Sequence, residues 1–323
     1  MDPPVSASAV LCLGESMALF VPAEDGPPDE VVTWTRTVGG AESNVACQLA
    51  SLGLRASWVS AVGDDAFGRA VVSYVESAGV DVSGVLVDAT RPTGLYVKES
   101  DASGSPVRYY RRGSAASGMG PSMLDRLSFD GVRVVHTSGI TPALSDTCHA
   151  LMSALVASPR DHLLSFDLNW RPRLWTDRDP AVLRSLAAAA DIVFVGADEA
   201  AAVWGVGTPE EIRAFLPEPA TLVVKQGAEG ATLVEGDSVL FQPALRVDVV
   251  EPVGAGDAFA AGFLAATLAG WSPRRRLRAG HLQAASALRT HHDVGPPLPE
   301  PLVAALLDAT EDEWAAAHVT GEP

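Results

Sequence analysis

The chain has 323 residues, of which 47% are hydrophobic, enough to bury a large core in one α/β domain or in two domains. Its 23 basic and 40 acidic residues give a net charge of −17, which argues against non-specific nucleic-acid binding. Three widely spaced cysteines, no leader-like start and no apolar stretch of membrane length predict a protein of the cytoplasm with neither nucleic acid nor a membrane as partner.

Short apolar runs alternate with helical patterns along most of the chain. The strand candidates are residues 10–13, 57–61, 132–136, 163–167, 191–195 and 221–225. Several of these runs are apolar throughout, as expected when both faces of a sheet are covered. The alternation predicts an α/β fold with a doubly wound, mainly parallel sheet flanked by helices.

Two early helices have recognisable boundaries. Ser43 is the candidate N-cap of the first helix, which Gly53 ends. Asp64 or Asp65 starts the second helix, which Gly79 ends. Farther along the chain, we expect His281 and the basic run 274–278 to lie on solvated helix faces.

Two segments interrupt the alternation, at about residues 15–37 and 93–112. Both alternate polar and apolar residues, which is typical of half-exposed strands. We expect them to form a small β-sheet lid inserted in a single domain that spans residues 1–323. Because exposed sheet edges favour pairing, a homodimer or higher homo-oligomer formed through the lid is the expected assembly.

Polar residues collect where four of the predicted strands end, at 136–139, 167–171, 196–199 and 225–230. Ligands of open α/β sheets bind beyond the carboxyl ends of the strands. These four groups therefore predict one binding site along this edge of the sheet.

The most informative stretch is residues 253–259, Val-Gly-Ala-Gly-Asp-Ala-Phe, directly before an apolar helical run. Its glycines allow the N–H groups of Gly254, Ala255 and Gly256 to face one concavity at a helix N-terminus, which suits a phosphate. Asp257 lies where a carboxylate takes a proton beside that phosphate. The letters match neither a dinucleotide fingerprint nor a P-loop. They indicate a phosphotransferase, with an ordinary loop-to-helix turn as the alternative.

Other polar groups are less specific. The stretch from Gly40 to Asn44 either brings backbone close to a small polar substrate or forms only a capped turn. Tyr109 and Arg111 share one face of a strand, either above the site or at a charged sheet edge. Arg171 carries a planar fork that suits carboxylate or phosphate.

Residues 39–53 and 251–262 resemble the two signatures of the ribokinase-like (PfkB) sugar kinases, and the resemblance covers nearly the whole chain. It implies a doubly wound α/β kinase domain with a β-sheet lid. It also implies transfer of the γ-phosphoryl group of ATP to a sugar hydroxyl with a divalent metal, normally Mg²⁺.

Within the family, Asp167-x-Asn169-x-Arg171 and Tyr109-x-Arg111 are similar to the pattern of 2-keto-3-deoxygluconate kinases, which make the 6-phosphate of that acid sugar. The implied substrate residues are Gly40, Ala41, Asn44, Tyr96, Tyr109, Arg111, Ile140, Arg171 and Asp257, with Asp293 as a looser match. The implied ATP residues are Asn169, Arg171, Glu199, Lys225, Gly227, Gly230, Gly254 and Gly256. Glu199 is also the implied metal residue, acting through water.

Two positions depart from the family pattern. Gly196 replaces the Asn of an Asn-x-x-Glu motif, and Glu251 replaces an Asp. Both departures leave the metal coordination and any monovalent-cation requirement open. A kinase for a neutral ketose such as fructose, or for a nucleoside, is the alternative. A catalytically weak sugar-binding sensor, which Gly196 favours, is the alternative from a different class.

Overall fold

A computed structural model describes residues 9–24, 26–27, 29–98 and 107–320. Its strands are β1 Val10–Leu13, β2 Met17–Pro22, β3 Trp34–Gly39, β4 Ala56–Val59, β5 Ala61–Gly63, β6 Leu86–Asp88, β7 Leu95–Lys98, β8 Val107–Tyr110, β9 Val134–Ser138, β10 Leu163–Asp167, β11 Ile192–Gly196, β12 Thr221–Lys225, β13 Gly230–Glu235, β14 Ser238–Pro243, β15 Arg246–Val247 and β16 His318–Val319. Its helices are α1 Ala41–Ser51, α2 Ala66–Ser77, α3 Asp146–Ala157, α4 Ala181–Ala188, α5 Ala197–Trp204, α6 Pro209–Phe215, α7 Ala255–Leu268, α8 Pro273–Leu288, α9 Glu300–Leu307 and α10 Glu311–Ala316.

Eight strands form the main sheet in the order β14-β13-β12-β11-β10-β9-β1-β4. The six strands β12, β11, β10, β9, β1 and β4 are parallel to one another. Strands β13 and β14 extend the sheet as an antiparallel hairpin beside β12. The parallel strands are buried on both faces, which explains why their sequences are apolar throughout. The predicted fold class, a mainly parallel α/β sheet flanked by helices, is confirmed.

Two apolar layers cover the sheet, one on each face. Leu151 of α3 and Leu186 of α4 belong to the layer on one face, and Phe263 of α7 belongs to the layer on the other. Phe263 is fully buried and meets Phe194 of β11 edge to face, with 5.4 Å between the ring centroids. Burying such a side chain stabilises the fold by about 1.5–3 kcal/mol. This packing fixes α7 against the sheet and so fixes the position of its N-terminus.

A separate four-stranded sheet has the order β3-β2-β7-β8 and is formed by the two segments predicted as a lid. Strand β2 pairs antiparallel with β3 and parallel with β7, and β7 pairs antiparallel with β8. Residues 99–106 of the predicted lid lie outside the described residues. The ring of Phe20 on β2 meets Phe67 of α2 at 5.6 Å, which joins the lid to the main domain.

Helix α1 begins earlier than the sequence predicts. Gly40, not Ser43, is its N-cap, and the Oγ of Ser43 donates to the carbonyl oxygen of Gly40 at 3.0 Å from within the first turn. The prediction of Ser43 was wrong because the helix begins one turn earlier, at Gly40, and glycine is among the residues accepted at an N-cap. Asp65 caps α2 by accepting from the N–H of Gly68 at 2.7 Å, as predicted. Gly79 follows that helix with φ +86°.

Only the start of the basic run of α8 is solvated: Arg274 is exposed as predicted, but the prediction is wrong for the buried residues that follow. Arg276 and Arg278 are buried, and Arg276 Nη1 donates to Glu235 Oε1 at 2.9 Å. Helices α9 and α10 pack over this face of α8, and Arg278 donates to the carbonyl oxygen of Ala309 at 2.6 Å. The helices that cover this face follow α8 in the chain, so the local pattern of α8 does not reveal them.

Two histidines are core residues. His281 is buried with Nε2 3.0 Å from the carbonyl oxygen of Gln242, so the prediction of a surface position was wrong. His136 lies within β9 rather than after it, 2.9 Å from Ser165 Oγ through its Nδ1. Burial lowers the pKa of each imidazole to about 4. Both rings are therefore neutral at physiological pH.

Cys12, Cys47 and Cys148 are buried and unpaired, as the sequence predicts. Burial is the main reason that the pKa of the Cys47 thiol rises to about 12 and that of Cys148 to about 11. Among the described helices, none combines the length and the apolar character that a bilayer crossing needs.

Candidate active site

The carboxyl ends of the parallel strands open into a cavity of about 450 Å³ beneath the lid. Its lining includes these predicted residues: Gly40, Ala41, Asn44, Tyr96, Tyr109, Arg111, Ile140, Asn169, Arg171, Glu199, Lys225, Gly254, Gly256, Asp257 and Asp293. They come from the lid, from four strand ends and from the start of α7. The fold therefore brings most of the predicted site together.

Helix α7 presents unpaired N–H groups to this cavity. Gly254 precedes the helix with φ +86°, and a Cβ on it would lie 2.5 Å from the carbonyl oxygen of Asp293, so only glycine fits. The N–H of Ala255 is 3.5 Å from the carbonyl oxygen of Pro252. Within the described residues, the N–H groups of Gly256 and its successor have no acceptor. Unpaired donors and the helix dipole together suit an anion.

Asp257 lies in the first turn of α7 with its carboxylate fixed by two amides. Asn44 Nδ2 donates to Oδ2 at 2.9 Å, and Asn169 Nδ2 lies 3.5 Å from Oδ1. Loss of hydration raises the pKa of Asp257 to about 7, with the Asn44 hydrogen bond opposing and the charge of Asp167 adding to the rise. A carboxyl group with such a pKa exchanges protons near neutral pH, as a general base must.

Asn169 is held in a left-handed backbone conformation with φ +40°. Its N–H donates to Asp167 Oδ1 at 3.2 Å, which stabilises the turn at the end of β10. Its side-chain Oδ1 is buried without a hydrogen-bond partner among the described residues. A strained residue with an unpaired polar atom is typical of a functional site.

Lys225 and Glu199 form a second charged group at the ends of β11 and β12. Lys225 Nζ lies 3.0 and 2.8 Å from the two oxygens of Asp167. Glu199 accepts from the N–H of Trp170 and from the N–H of Gly196, each at 2.9 Å. Burial raises the pKa of Glu199, and the Lys225 charge opposes that rise. No cluster of three or more metal-ligating side chains occurs among the described residues.

A second cavity, of about 780 Å³, adjoins the first and shares Tyr109, Arg111 and Arg171 with it. Six arginines line it, with Asp177 as its one acidic lining residue in the described part of the chain: Arg108, Arg111, Arg112, Arg171, Arg173 and Arg178. Arg111 pairs with Glu15 and Arg178 pairs with Asp146, but the remaining guanidinium groups still outnumber the single acidic lining residue and create a local positive region in a protein of net charge −17. An anionic ligand is attracted to this side of the site.

Arg111 and Arg171 have different surroundings. Arg111 Nε donates to Glu15 Oε2 at 2.6 Å, and the Glu15 side chain is fully buried. The guanidinium of Arg111 also lies 5.3 Å from the ring centroid of Tyr109, which stacks on Tyr96 at 5.4 Å. Arg171 is exposed and, within the described residues, donates only to a backbone carbonyl oxygen. Of these two arginines, Arg171 is therefore the one that is free to bind a ligand.

Three predicted residues do not line the cavity. Gly227 lies in an exposed turn with φ +60°. A Cβ on Gly230 would lie 2.3 Å from the carbonyl oxygen of Gln242, so the pairing of β13 with β14 already requires a glycine there. Ala255 lies in the first turn of α7. The ATP-binding roles of Gly227 and Gly230 and the catalytic role of Ala255 stay predictions.

Sequence reasoning missed Lys98, a buried residue of β7 that lines the cavity. Its Nζ lies 3.2 Å from Glu251 Oε2. The chain has only two lysines, and the other, Lys225, lines the same cavity. The rarity of lysine was the signal in the sequence that could have identified Lys98.

A doubly wound sheet, unpaired N–H groups at a helix start and a carboxylate beside them define a phosphotransferase of the α/β class. A family model described as "pfkB family carbohydrate kinase" matches residues 7–301. The chain belongs to this family, as the sequence resemblance indicated, and it is an ATP-dependent sugar kinase.

Similar proteins match along most of their length. The chain is 39% identical over 305 residues to a 2-dehydro-3-deoxygluconokinase of Bacillus subtilis, covering 91% of this chain and 94% of that one. It is 37% identical over 284 residues to a 2-dehydro-3-deoxygluconokinase of Thermoproteus tenax, covering 85% and 87%. The crystal structure of a PfkB protein from Polaromonas sp. JS666 superposes with a TM-score of 0.80 at 33% identity, covering 94% of this chain and 100% of that one.

Proposed function

We propose that the protein transfers the γ-phosphoryl group of ATP to the 6-hydroxyl of 2-keto-3-deoxygluconate, also named 2-dehydro-3-deoxygluconate. The observation that carries the proposal is the near full-length similarity to two kinases named for this substrate. The arginine-lined cavity supports an acid sugar, because a carboxylate gains from a positive region that a neutral sugar does not need.

The sugar occupies the cavity beneath the lid in this proposal. Arg171 binds the carboxylate of the acid sugar, because it is exposed and without a carboxylate partner in the described residues. The other residues that contact the sugar in this proposal are Gly40, Ala41, Asn44, Tyr96, Tyr109, Arg111, Ile140, Asp257 and Asp293. Arg111, held by Glu15, fixes the Tyr109 ring that covers one side of the substrate.

Asp257 acts as the general base. Its carboxylate takes the proton of the attacking hydroxyl, and Asn44 holds it in place. The N–H groups of Gly254, Ala255 and Gly256 stabilise the charge that develops on the transferring phosphoryl group. The lid excludes water that would compete as acceptor.

ATP lies along the ends of β10, β11 and β12, held by Asn169, Arg171, Lys225, Gly227 and Gly230. Mg²⁺ commonly keeps several waters and binds proteins through one or two carboxylates, so the absence of a multi-ligand cluster in the described residues fits it. Glu199 would hold the ion through water, since each of its oxygens already accepts one backbone N–H and keeps a further lone pair. The ion supplies neutralisation of phosphate charge.

The whole chain forms one kinase domain with the lid inserted in it, and its assembly is a homodimer joined through the lid. Support for the dimer comes from the two edges of the lid sheet, β3 and β8, where Tyr109 and Tyr110 are exposed. Sedimentation of the wild-type chain and of a Tyr110→Glu variant tests this: a monomer in both excludes the assembly.

The test of function is ADP release with 2-keto-3-deoxygluconate, its galactose-series epimer, fructose, ribose and adenosine side by side. We expect the acid sugars to give the highest kcat/KM. Arg171→Ala should lower kcat/KM for the acid sugars by at least about tenfold, as expected for one charge-assisted hydrogen bond, and change it less for fructose. Arg69→Ala removes an exposed arginine outside both cavities and serves as the control.

Other outcomes refute the proposal. A preference for fructose, ribose or adenosine identifies the alternative kinases. Sugar binding without ADP release identifies the sensor. Equal losses for acid and neutral sugars in Arg171→Ala exclude that residue as the carboxylate ligand.

A further inference from the structure

Lys98 places a buried ammonium group between two carboxylates at the floor of the lid. It lies two residues after Tyr96 on β7, so both side chains lie on the same face of the strand. Its Nζ is 3.2 Å from Glu251 Oε2 and 4.0 Å from Asp293 Oδ1. The Lys98 side chain is 7% exposed, and those of its partners are 16% and 4% exposed.

Both carboxylates belong to segments that shape the start of α7. Glu251 Oε1 accepts from the N–H of Val253 at 3.3 Å, directly before Gly254. The backbone of Asp293 packs against Gly254, because a Cβ there would lie 2.5 Å from its carbonyl oxygen. The ammonium of Lys98 therefore connects the lid strand with the loop whose N–H groups face the cavity.

The same group of residues reaches Asp257. Asp293 Oδ2 lies 3.4 Å from both Asn44 Nδ2 and the hydroxyl oxygen of Tyr96. Asn44 Nδ2 also donates to Asp257 Oδ2 at 2.9 Å. Contacts through Asp293 and Asn44 therefore connect Lys98 with Asp257, although the two residues do not touch.

Among the described residues, Lys98 is the cation that pairs with Glu251 and Asp293. Asp293 Oδ1 is buried without a hydrogen-bond partner in the described residues, and Lys98 is the cation beside it. Without the ammonium, Glu251 and Asp293 would be two uncompensated carboxylates next to the place where phosphate binds. Leaving a buried charge unpaired is strongly unfavourable, and like charges repel the incoming phosphates.

We propose that Lys98 is a positioning residue, the internal counter-cation of the loop before α7, and that its ammonium stands where a free monovalent cation would otherwise neutralise Glu251. This inference rests on the proposed phosphoryl transfer. It gives the replacement of Asp by Glu at position 251 a purpose: the longer side chain reaches the lid lysine and accepts the N–H of Val253 at the same time.

The first experiment compares Lys98→Met, Lys98→Arg, Glu251→Gln and the Lys98→Met/Glu251→Gln double variant. We expect Lys98→Met to lower kcat at least about tenfold and to weaken binding of a non-hydrolysable ATP analogue, whereas Lys98→Arg keeps most of both. The double variant should recover at least about threefold in kcat over Lys98→Met, because it no longer leaves Glu251 unpaired. Arg36→Met removes an exposed charge from the same sheet and is the control.

The second experiment tests chemical rescue. Ammonium or methylammonium chloride should raise the kcat of Lys98→Ala at least about threefold over its value in tetramethylammonium chloride at equal ionic strength. The wild type should not respond to ammonium or potassium ions. Melting temperatures of all variants show whether each is folded.

The proposal is overturned if Lys98→Met keeps wild-type kcat and nucleotide affinity, if the double variant shows no recovery, or if potassium ions stimulate the wild type severalfold. A different preferred acceptor refutes the proposed substrate but leaves these comparisons intact with that acceptor. If no acceptor reacts, the affinity for the ATP analogue still tests the role of Lys98. Weaker binding in Lys98→Met than in Lys98→Arg supports it, and equal binding refutes it.

Discussion

Replacing Asp257 by Asn tests the centre of the proposed mechanism. The substitution preserves the size of the side chain and removes its ability to accept a proton. A positioned general base typically contributes about 10²–10⁴-fold to a rate, so we expect kcat to fall at least about 100-fold. Asp198→Asn is the matched control, because that carboxylate is exposed on α5 and lines neither cavity.

The pH dependence of kcat/KM is a second, independent test of Asp257 as the base. The pKa of Asp257 is raised to about 7, so its carboxylate is the active form above that pH and is lost below it. One pH unit below the pKa, about a tenth of the groups are ionised, and kcat/KM should be about tenfold below its plateau. Activity should therefore rise with pH through 7 and then level off.

Asn44 supplies the sharpest check on this reasoning. Its amide donates to Asp257 Oδ2 at 2.9 Å and lowers the pKa of that carboxyl group. A hydrogen bond to a charged group contributes about 1.5–3 kcal/mol, and one pKa unit corresponds to about 1.4 kcal/mol. Asn44→Ala should therefore move the acid limb of the kcat/KM profile upward by about one to two pH units.

The assay is ADP release coupled to NADH oxidation, with the coupling enzymes in excess at every pH. Circular dichroism melting of each variant confirms that it is folded. A loss of less than about tenfold in Asp257→Asn would refute the assignment of the base. A wild-type profile that stays flat through pH 7 would refute the raised pKa, and an unmoved limb in Asn44→Ala would refute its cause.

Three further predictions concern the surroundings of the site. Arg111→Ala should lower the melting temperature by several degrees, because Glu15 is fully buried and loss of a buried ion-pair partner costs about 3–5 kcal/mol. Arg111→Lys should retain part of that stability. Equal melting temperatures for the wild type and Arg111→Ala would contradict the pairing. Gly254→Ala should lower kcat at least about tenfold, because the new Cβ would lie 2.5 Å from a backbone oxygen and the residue has φ +86°. Gly207→Ala is the control, because its Cβ would make an ordinary 3.5 Å contact. Burial raises the pKa of Glu42 from 4.5 to about 7, so the protein loses stability as the pH rises between these values. The free energy of unfolding of Glu42→Gln should therefore exceed that of the wild type by up to about 3 kcal/mol at pH 8, but not at pH 4. The same difference at both pH values would exclude this explanation.

The sequence predicts the sheet because apolar runs and helices alternate with little interruption. Residues 10–13, 163–167 and 221–225 agree with the observed strands, since a continuous apolar run is a local property of the sequence. The loop that we propose binds phosphate is similarly local, because Gly254, Gly256 and the helix that follows are neighbours in the chain. Local patterns therefore suffice for the fold and for this loop.

Long-range contacts account for what the sequence analysis did not predict. Arg278 and His281 lie on a helix whose sequence is polar, but later helices and β14 cover them. Arg111 carries the charge expected of a carboxylate ligand, but Glu15, 96 positions earlier, already binds it. The Lys98–Glu251 pair spans 153 positions. No spacing rule connects residues at such distances.

Lysine is confined to the cavity in this protein. Apart from the α-amino group, Lys98 and Lys225 are the only primary amines of the polypeptide, and neither is exposed. Acetylation or succinylation of a lysine would therefore modify the cavity that we propose as the active site, with no surface lysine to react in its place. An amine-reactive nucleotide or sugar analogue would act as an affinity label, and its rate of attachment would report directly on occupancy of the cavity.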